Sequence, residues 1–239
     1  MDSLPPLHSL DDNISMQKKH FYSENANWVV PGVVLAGGSP ARANDIDAYV
    51  KDLSENANVT TYVCLQAEVV PQSEDAEDLG GIQIGNEVDQ MPSYAEAVSQ
   101  ANPASEPKFV YYGMKDDEIA PSDDSLRALI ENISKRIEDG EVLYIHCKGG
   151  SGRTGIVVAC LLGVLYPDLS ADEVLKRTQK YFELRSRGVG KWVNPKRMSP
   201  ATDQQKDQVQ EFIAFAAENV AAAENTASDG CTPSSCTIM

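Results

Sequence analysis

The sequence EVLYIHCKGGSGRTGIVVACLLGVLY, residues 141–166, gives the strongest structural signal in the chain. Its first seven residues are almost continuously hydrophobic, which is typical of a parallel strand buried on both faces of a sheet. Residues 154–166 predict a buried helix, and the apolar run within them is too short to span a bilayer. The glycine-rich residues between the two segments predict a tight loop. The stretch therefore indicates a strand, a loop and a helix in direct succession.

Segments on both sides continue this alternation of strands and helices. Runs rich in β-branched and aromatic residues predict two short strands around Pro31 and Gly32, within residues 28–36, and further strands at 59–67 and 108–114. Apolar residues at helical spacing predict helices at 44–53, 122–137, 170–187 and 202–223. Such alternation predicts an α/β fold with a central, mostly parallel sheet that is flanked by helices.

The chain of 239 residues has the length of one domain with tails. Residues 26–215 carry the alternating pattern and are predicted to form the folded domain. Residues 1–25 show no sustained period and predict a disordered arm, and residues 216–239 predict a flexible tail. Residues 71–108 are rich in proline, serine and acidic residues, and they are long for a loop. We interpret them as a variable insertion.

The composition excludes several classes of protein. Thirty-six acidic residues against 20 lysines and arginines give a net charge of -16, which repels nucleic acids and anionic lipids. The N-terminal residues lack the apolar core of a signal peptide. Five cysteines without paired spacing argue against a disulfide framework and for a reducing compartment. We therefore expect a cytoplasmic protein that does not bind nucleic acid.

The loop after the buried strand has the composition of an anion-binding site with a nucleophile. Its glycines let backbone N–H groups point inward, and the following helix directs its positive end at the same place. Arg153 can grip a phosphate bidentately, and this positive field favours the thiolate of Cys147. The predicted substrate-binding residues are Lys148, Gly149, Gly150, Ser151, Gly152 and Arg153. The alternative is a core cysteine at 147 and a cation at the start of the helix.

This loop resembles the HCxxGxxRTG signature of the cysteine-based protein phosphatases, the tyrosine and dual-specificity superfamily. The matching residues are His146, Cys147, Gly150, Arg153, Thr154 and Gly155. The resemblance implies that Thr154 hydrogen-bonds the sulfur and helps it to leave, and that His146 orders the loop. It covers about residues 26–215, but the region 71–108 does not match.

Phosphate ester cleavage also needs an acid that protonates the leaving oxygen. Members of the superfamily carry an aspartate about thirty residues before the cysteine, with a proline four residues after it. Asp117 lies 30 residues before Cys147 and is followed by Pro121, so we favour it as the acid. Asp116 is the alternative, and both could instead be solvated loop residues.

Two further residues have weaker signals. Residues 199–205, SPATDQQ, resemble the S-P-x-T-x-x-Q stretch of dual-specificity phosphatases, in which Gln205 could position the hydrolytic water. An exposed residue in the first turn of a helix is an equal alternative for Gln205. Cys64 lies on a predicted strand, where it could be a resolving thiol for Cys147, although a small hydrophobic residue of the sheet is the favoured interpretation.

The last four residues, 236–239, fit the C-a-a-X pattern of farnesyl acceptors, with Cys236 as the lipidated residue. A C-a-a-X box on a phosphatase resembles the phosphatases of regenerating liver. Those enzymes have basic residues before the box and alanine where this chain has Thr154, so the resemblance is partial. Cys231 is either a second, acylated cysteine or an idle thiol.

Together these features predict an enzyme that hydrolyses phosphotyrosine, with phosphoserine and phosphothreonine as further substrates, through a cysteinyl-phosphate intermediate. No metal and no cofactor is expected, because Arg153 and the loop amides supply the positive charge. A phosphorylated protein is the expected partner, with membrane association through farnesyl on Cys236. The alternatives are a phosphoinositide phosphatase and a membrane-tethered adaptor that binds phosphate without turnover.

Overall fold

The computed structural model describes residues 4–69, 75–84, 93–101, 106–186 and 197–229. The described strands form one six-stranded sheet with the order β1-β2-β6-β3-β5-β4. The strands are β1 (Ala26–Val30), β2 (Val34–Gly38), β3 (Thr61–Gln66), β4 (Glu77–Asp78), β5 (Lys108–Met114) and β6 (Leu143–Cys147). Only the pair β1 and β2 is antiparallel among them, which confirms the predicted α/β fold with a mostly parallel sheet.

Helices cover both faces of this sheet. The helices are α1 (Asn13–His20), α2 (Ile46–Glu55), α3 (Ala95–Ala101), α4 (Asp123–Glu138), α5 (Gly152–Leu165), α6 (Ala171–Ser186) and α7 (Asp203–Asp229), with a short 3-10 turn at Pro40–Arg42. On β6, Leu143 and Ile145 pack with the core that contains α4 and α5, whereas Tyr144 packs with α2 and α3 on the opposite face. This alternation explains why the strand is hydrophobic at every position. None of the helices within the described ranges is both long and apolar enough to cross a membrane.

Local sequence signals explain where several helices begin. Ser122 accepts a hydrogen bond from the amide of Ser125 at the start of α4. At the start of α6, Ser170 and Glu173 form a reciprocal capping box, in which each side chain accepts from the other residue's amide at 3.3 and 3.1 Å. These caps satisfy amides that the first turn of a helix leaves without partners.

Parts of the predicted arm and of the predicted tail form helices in the structure. The prediction of a disordered arm is wrong for α1, where Met16 and His20 are buried and the His20 ring stacks on Tyr181 at 4.0 Å. Long-range packing orders this segment, and its own periodicity is weak. In the predicted tail, α7 continues as far as Asp229 through an alanine-rich run of high helix propensity. Cys231 and Cys236 lie outside the described residues.

Strand register places the catalytic loop at one edge of the sheet. Gly38, the last residue of β2, pairs with Cys147, the last residue of β6, and Cys64 of β3 pairs with His146 on the other side. Because these strands are parallel, the segments that follow β2, β3 and β6 all leave the sheet at the same edge. This edge therefore carries the candidate site.

Candidate active site

The loop between β6 and α5 is held in a conformation that requires glycine. Gly150 has a φ of +67°, in the left-handed region. A Cβ atom on it would collide with the Gly37 carbonyl and with the Arg185 guanidinium. Arg185, which is buried, donates to the Gly150 carbonyl at 2.8 Å and thereby also restrains the position of Gly150. Sequence analysis did not identify Arg185, because it lies 35 residues further along the chain.

Cys147 lies at the base of this loop with 3% of its surface exposed. Burial alone would raise the pKa of its thiol. The Arg153 guanidinium, the Thr154 hydroxyl and the amides of Thr154 and Ser151 outweigh burial, so that the pKa is lowered. The buried Thr154 hydroxyl makes no hydrogen bond of standard geometry with the described residues, but it is close enough to act on the sulfur. The arrangement favours a thiolate nucleophile.

The Arg153 side chain is fully buried and is held by a carboxylate that sequence analysis missed. Its Nη1 and Nη2 atoms donate to Glu68 Oε2 and Oε1 at 2.5 and 3.0 Å, and Nη1 also donates to the Met114 carbonyl at 3.0 Å. Burial alone would lower the pKa of Arg153, but Glu68, Cys147 and Asp116 raise it, so the guanidinium stays charged. Its Nε atom is buried without a hydrogen-bond partner among the described residues. Arg153 thus keeps one donor for a ligand.

The structure separates the two candidate acids. The Asp116 carboxylate lies 2.9 Å from Arg153 Nη2, and 63% of its side chain is exposed. Asp117 has a φ of +59°, a left-handed conformation that aspartate tolerates better than most residues. Within the described part of the chain, Asp117 forms no ion pair with Arg153. The geometry therefore brings Asp116, the alternative in the sequence analysis, to the site.

His146 lies behind the loop and is neutral. Burial lowers its pKa to about 3. Its Nε2 atom is 2.5 Å from the hydroxyl of Tyr94, and its ring stacks on that of Tyr144 at 5.6 Å. Tyr94 is buried and belongs to the predicted variable insertion, so part of this insertion packs against the residue that precedes Cys147. These contacts agree with a structural role for His146.

The segment that begins α7 ties the catalytic loop to the loop that carries the aspartates. Ser199 Oγ donates to the Ser151 carbonyl at 3.0 Å, and Ser151 Oγ donates to the Met198 carbonyl at 2.8 Å. Gln205 is fully buried, so its interpretation as an exposed residue is wrong. Its Nε2 donates to the Glu118 carbonyl at 2.8 Å. Three positions later, Gln208 accepts from the Ala120 amide at 2.9 Å.

The remaining predicted residues lie on the rim of the loop or in the sheet. The Lys148 carbonyl accepts from the Ser39 amide and from Arg42 Nη1, both at 3.4 Å. Gly149 lies against Arg197, whose guanidinium would be 2.6 Å from a Cβ atom at that position. Cys64 is buried, and burial raises the pKa of its thiol to about 12. That environment favours the interpretation of Cys64 as a small hydrophobic residue.

The buried cysteine, the glycine loop and the arginine at the helix start define a domain of the cysteine-based phosphatase superfamily. The family described as PTP-SAK, Swiss Army Knife protein, DSP-PTPase phosphatase domain, matches residues 23–209, and the chain belongs to this family. This match confirms the resemblance to the tyrosine and dual-specificity superfamily.

Relatives of known name share shorter segments with the chain. It is 47% identical over 47 residues to 197R of Invertebrate iridescent virus 6, and 35% identical over 91 residues to 067L of Invertebrate iridescent virus 3. Both are provisionally named tyrosine phosphatases. The matches cover 20% and 35% of this chain, and 17% and 36% of the viral proteins. The chain thus aligns with less than half the length of these relatives.

Solved structures share the fold at low sequence identity. Tk-PTP in its active form is 17% identical with a TM-score of 0.51, and the match covers 80% of this chain and 97% of that one. PTPMT1 in complex with PI(5)P is 15% identical with a TM-score of 0.50, and the match covers 79% and 95% of the two chains. These likenesses support the α/β phosphatase fold.

Proposed function

We propose that this protein hydrolyses phosphomonoesters of protein tyrosine, and also of serine and threonine, through a cysteinyl-phosphate intermediate. The observation that carries the proposal is the position of Cys147, which is buried at the base of the glycine loop beside Arg153, where the guanidinium lowers the pKa of the thiol. A thiolate at this position is the nucleophile, and the amides of the loop together with Arg153 form the site that stabilises the phosphate oxygens.

In the first step, the Cys147 thiolate attacks phosphorus, and the bond to the leaving oxygen breaks. We assign the proton that this oxygen receives to Asp116, because its carboxyl group lies within 2.9 Å of Arg153 Nη2. In the second step, Asp116 takes a proton from water, the resulting hydroxide attacks phosphorus, and the sulfur leaves as a thiolate. The Thr154 hydroxyl stabilises that thiolate, and inorganic phosphate is released.

The geometry of Arg153 indicates how a phosphate would be gripped. Its Nε donor has no partner among the described residues, and its Nη2 donor also faces Asp116. A phosphate that takes Nε and Nη2 would form the bidentate pair for which guanidinium is suited. Such a phosphate would also release Asp116 for proton transfer, while Glu68 continues to hold Nη1.

The test is turnover on phosphotyrosine, phosphoserine and phosphothreonine peptides and on a short-chain phosphoinositide. We expect the phosphotyrosine peptide to be the best substrate and the rate to be unchanged by EDTA. Cys147→Ser should abolish turnover, while the matched control Cys160→Ser, at another buried cysteine, should keep it. Full activity in Cys147→Ser would overturn the mechanism. A phosphoinositide that exceeds every peptide in kcat/KM would replace the substrate class, and binding without turnover in the wild type would favour the adaptor.

We also propose that the protein is cytoplasmic and reversibly attached to the cytosolic face of membranes by farnesyl on Cys236. The support is the C-a-a-X pattern of residues 236–239, which lies outside the described residues. One lipid chain gives marginal binding, and the acidic residues after Lys206 should weaken it further, so Cys231 is a candidate for a second chain. Cell fractionation of Cys236→Ser should show a fully soluble protein, and of Cys231→Ser a partly soluble one. A Cys236→Ser protein that fractionates like the wild type would refute the anchor.

A further inference from the structure

A cavity of about 320 Å³ lies beside the catalytic loop. The segment after β2 forms one side of it, and Lys148 and Gly149 of the catalytic loop form another. We refer to it as the arginine cavity. The charged residues that line it are Glu24, Arg42, Lys148, Arg185 and Arg197.

The arginine cavity opens at the same edge of the sheet as the site of Cys147. Gly38 pairs with Cys147 in adjacent parallel strands, and the next residue, Ser39, donates its amide to the Lys148 carbonyl. Gly149 contributes to the catalytic loop and also contacts the guanidinium of Arg197. The two sites are therefore adjacent, with Lys148 and Gly149 common to both.

The charge of the arginine cavity is opposite to that of the protein. One carboxylate and four basic side chains line it, in a chain whose net charge is -16. Within the described residues, Arg42, Arg185 and Arg197 form no ion pair with a carboxylate. Arg185 is buried, and its hydrogen bonds go to the neutral oxygens of Asn27 and Gly150, at 2.5 and 2.8 Å. Burial, with a contribution from the charge of Arg197, lowers the pKa of Arg185 to about 10.

Unpaired guanidinium groups that converge on one cavity repel one another, and a dianion between them removes that repulsion. Arginine is also the side chain best suited to bind phosphate in two-pronged fashion. A cavity of this volume is at the lower end of the range of small-molecule sites, so it has room for a phosphate group and part of the scaffold that carries it.

We infer that the arginine cavity binds a second phosphate group of the substrate while the scissile phosphate lies over Cys147. This inference rests on the proposed phosphatase function and narrows its substrate class to compounds with two phosphates close together. The same chemistry is available from a peptide with two adjacent phosphorylated residues and from a soluble inositol bisphosphate. The experiment distinguishes the two sources.

The test compares kcat/KM within two matched substrate pairs. One pair is a phosphotyrosine peptide with and without a neighbouring phosphothreonine, and the other is an inositol bisphosphate and the corresponding monophosphate. In at least one pair, we expect the wild type to prefer the doubly phosphorylated member about tenfold or more, as one charge-assisted contact allows. Arg42→Gln and Arg197→Gln should each remove most of that preference and leave kcat/KM for the singly phosphorylated member within about twofold.

The matched control is Lys51→Gln, which removes one positive charge from exposed α2, where Lys51 faces Glu55. It should leave both preferences unchanged. The pair that shows an arginine-dependent preference identifies the source of the second phosphate. Absence of a preference in both pairs, or a preference that survives in both arginine variants, would overturn the inference.

Failure of the proposed function gives a different result. A wild type that cleaves none of the four compounds would refute the phosphatase proposal. The inference would then be decided by calorimetric binding to Cys147→Ser, in which a doubly phosphorylated ligand should bind about tenfold more tightly than its singly phosphorylated partner. Equal affinities would overturn it.

Discussion

Replacement of Glu68 by glutamine should destabilise the protein, because Glu68 is the carboxylate that holds the buried Arg153. Glu68 receives two charge-assisted hydrogen bonds from Arg153, and only 10% of its side chain is exposed. Glutamine has nearly the same shape and can still accept one of the two bonds, but as a neutral group. A hydrogen bond to a charged group contributes about 1.5–3 kcal/mol, so we expect a loss of about 2 kcal/mol in the free energy of unfolding. For a chain of this size, that corresponds to a decrease of about 4–8 °C in Tm.

The measurement is denaturant unfolding at pH 7, with Glu55→Gln as the control. The Glu55 pair with Lys51 is exposed at 3.9 Å and should contribute at most about 0.5 kcal/mol. If the free energy of unfolding of Glu68→Gln lies within about 0.5 kcal/mol of the wild-type value, the argument that Glu68 stabilises the site is refuted.

The stabilisation by Glu68 should also depend on pH. Burial alone would raise the pKa of Glu68, but Arg153 outweighs it, so the pKa is below its ordinary value of 4.5. A carboxyl group whose pKa is lower in the folded state stabilises the protein above its unfolded pKa, and this contribution is lost as the pH falls through the folded value. The difference in free energy of unfolding between the wild type and Glu68→Gln should therefore be largest at neutral pH and should decrease below pH 4.5. If this difference stays constant down to about pH 3, the ionised carboxylate of Glu68 is not its cause.

Three further substitutions test the site. Asp116→Asn should slow aryl phosphates with poor leaving groups by about a hundredfold to ten-thousandfold and those with good leaving groups much less, as measured by kcat across a leaving-group series; if Asp117→Asn shows this dependence and Asp116→Asn does not, the acid is Asp117. Arg153→Lys should reduce both kcat and the affinity for phosphate, because lysine cannot form the bidentate pair. Steady-state kinetics with phosphate as inhibitor measure both quantities. An unchanged inhibition constant would contradict bidentate binding of phosphate by Arg153. Tyr94→Phe should cost about 1–3 kcal/mol in the free energy of unfolding, because it leaves the buried Nε2 of His146 without its partner at 2.5 Å. An unchanged Tm in Tyr94→Phe would show that this contact contributes little.

The sequence predicted the catalytic loop well because the loop is local. Strand, glycines, cysteine and helix occupy consecutive residues, and the geometry of each depends on its neighbours. Glu68 could not be found in this way, since it lies 85 residues before Arg153 and reaches it only because β3 and β6 are adjacent. The choice between Asp116 and Asp117 stays open in the sequence for a different reason. Spacing cannot resolve one residue, and in the structure the carboxylate that pairs with Arg153 is that of Asp116, while Asp117 has a left-handed backbone conformation.

The position of residues 198–208 near the end of the described chain has a consequence for folding during synthesis. Ser199 and Gln205 connect the catalytic loop to the loop of the aspartates. Ser199 lies just before α7, and Gln205 lies in its first turn. A nascent chain on the ribosome therefore contains the nucleophile some fifty residues before the residues that order it. A product of interrupted translation that ends before residue 199 would carry Cys147 without these braces, as a thiol open to oxidation and without a formed phosphate site.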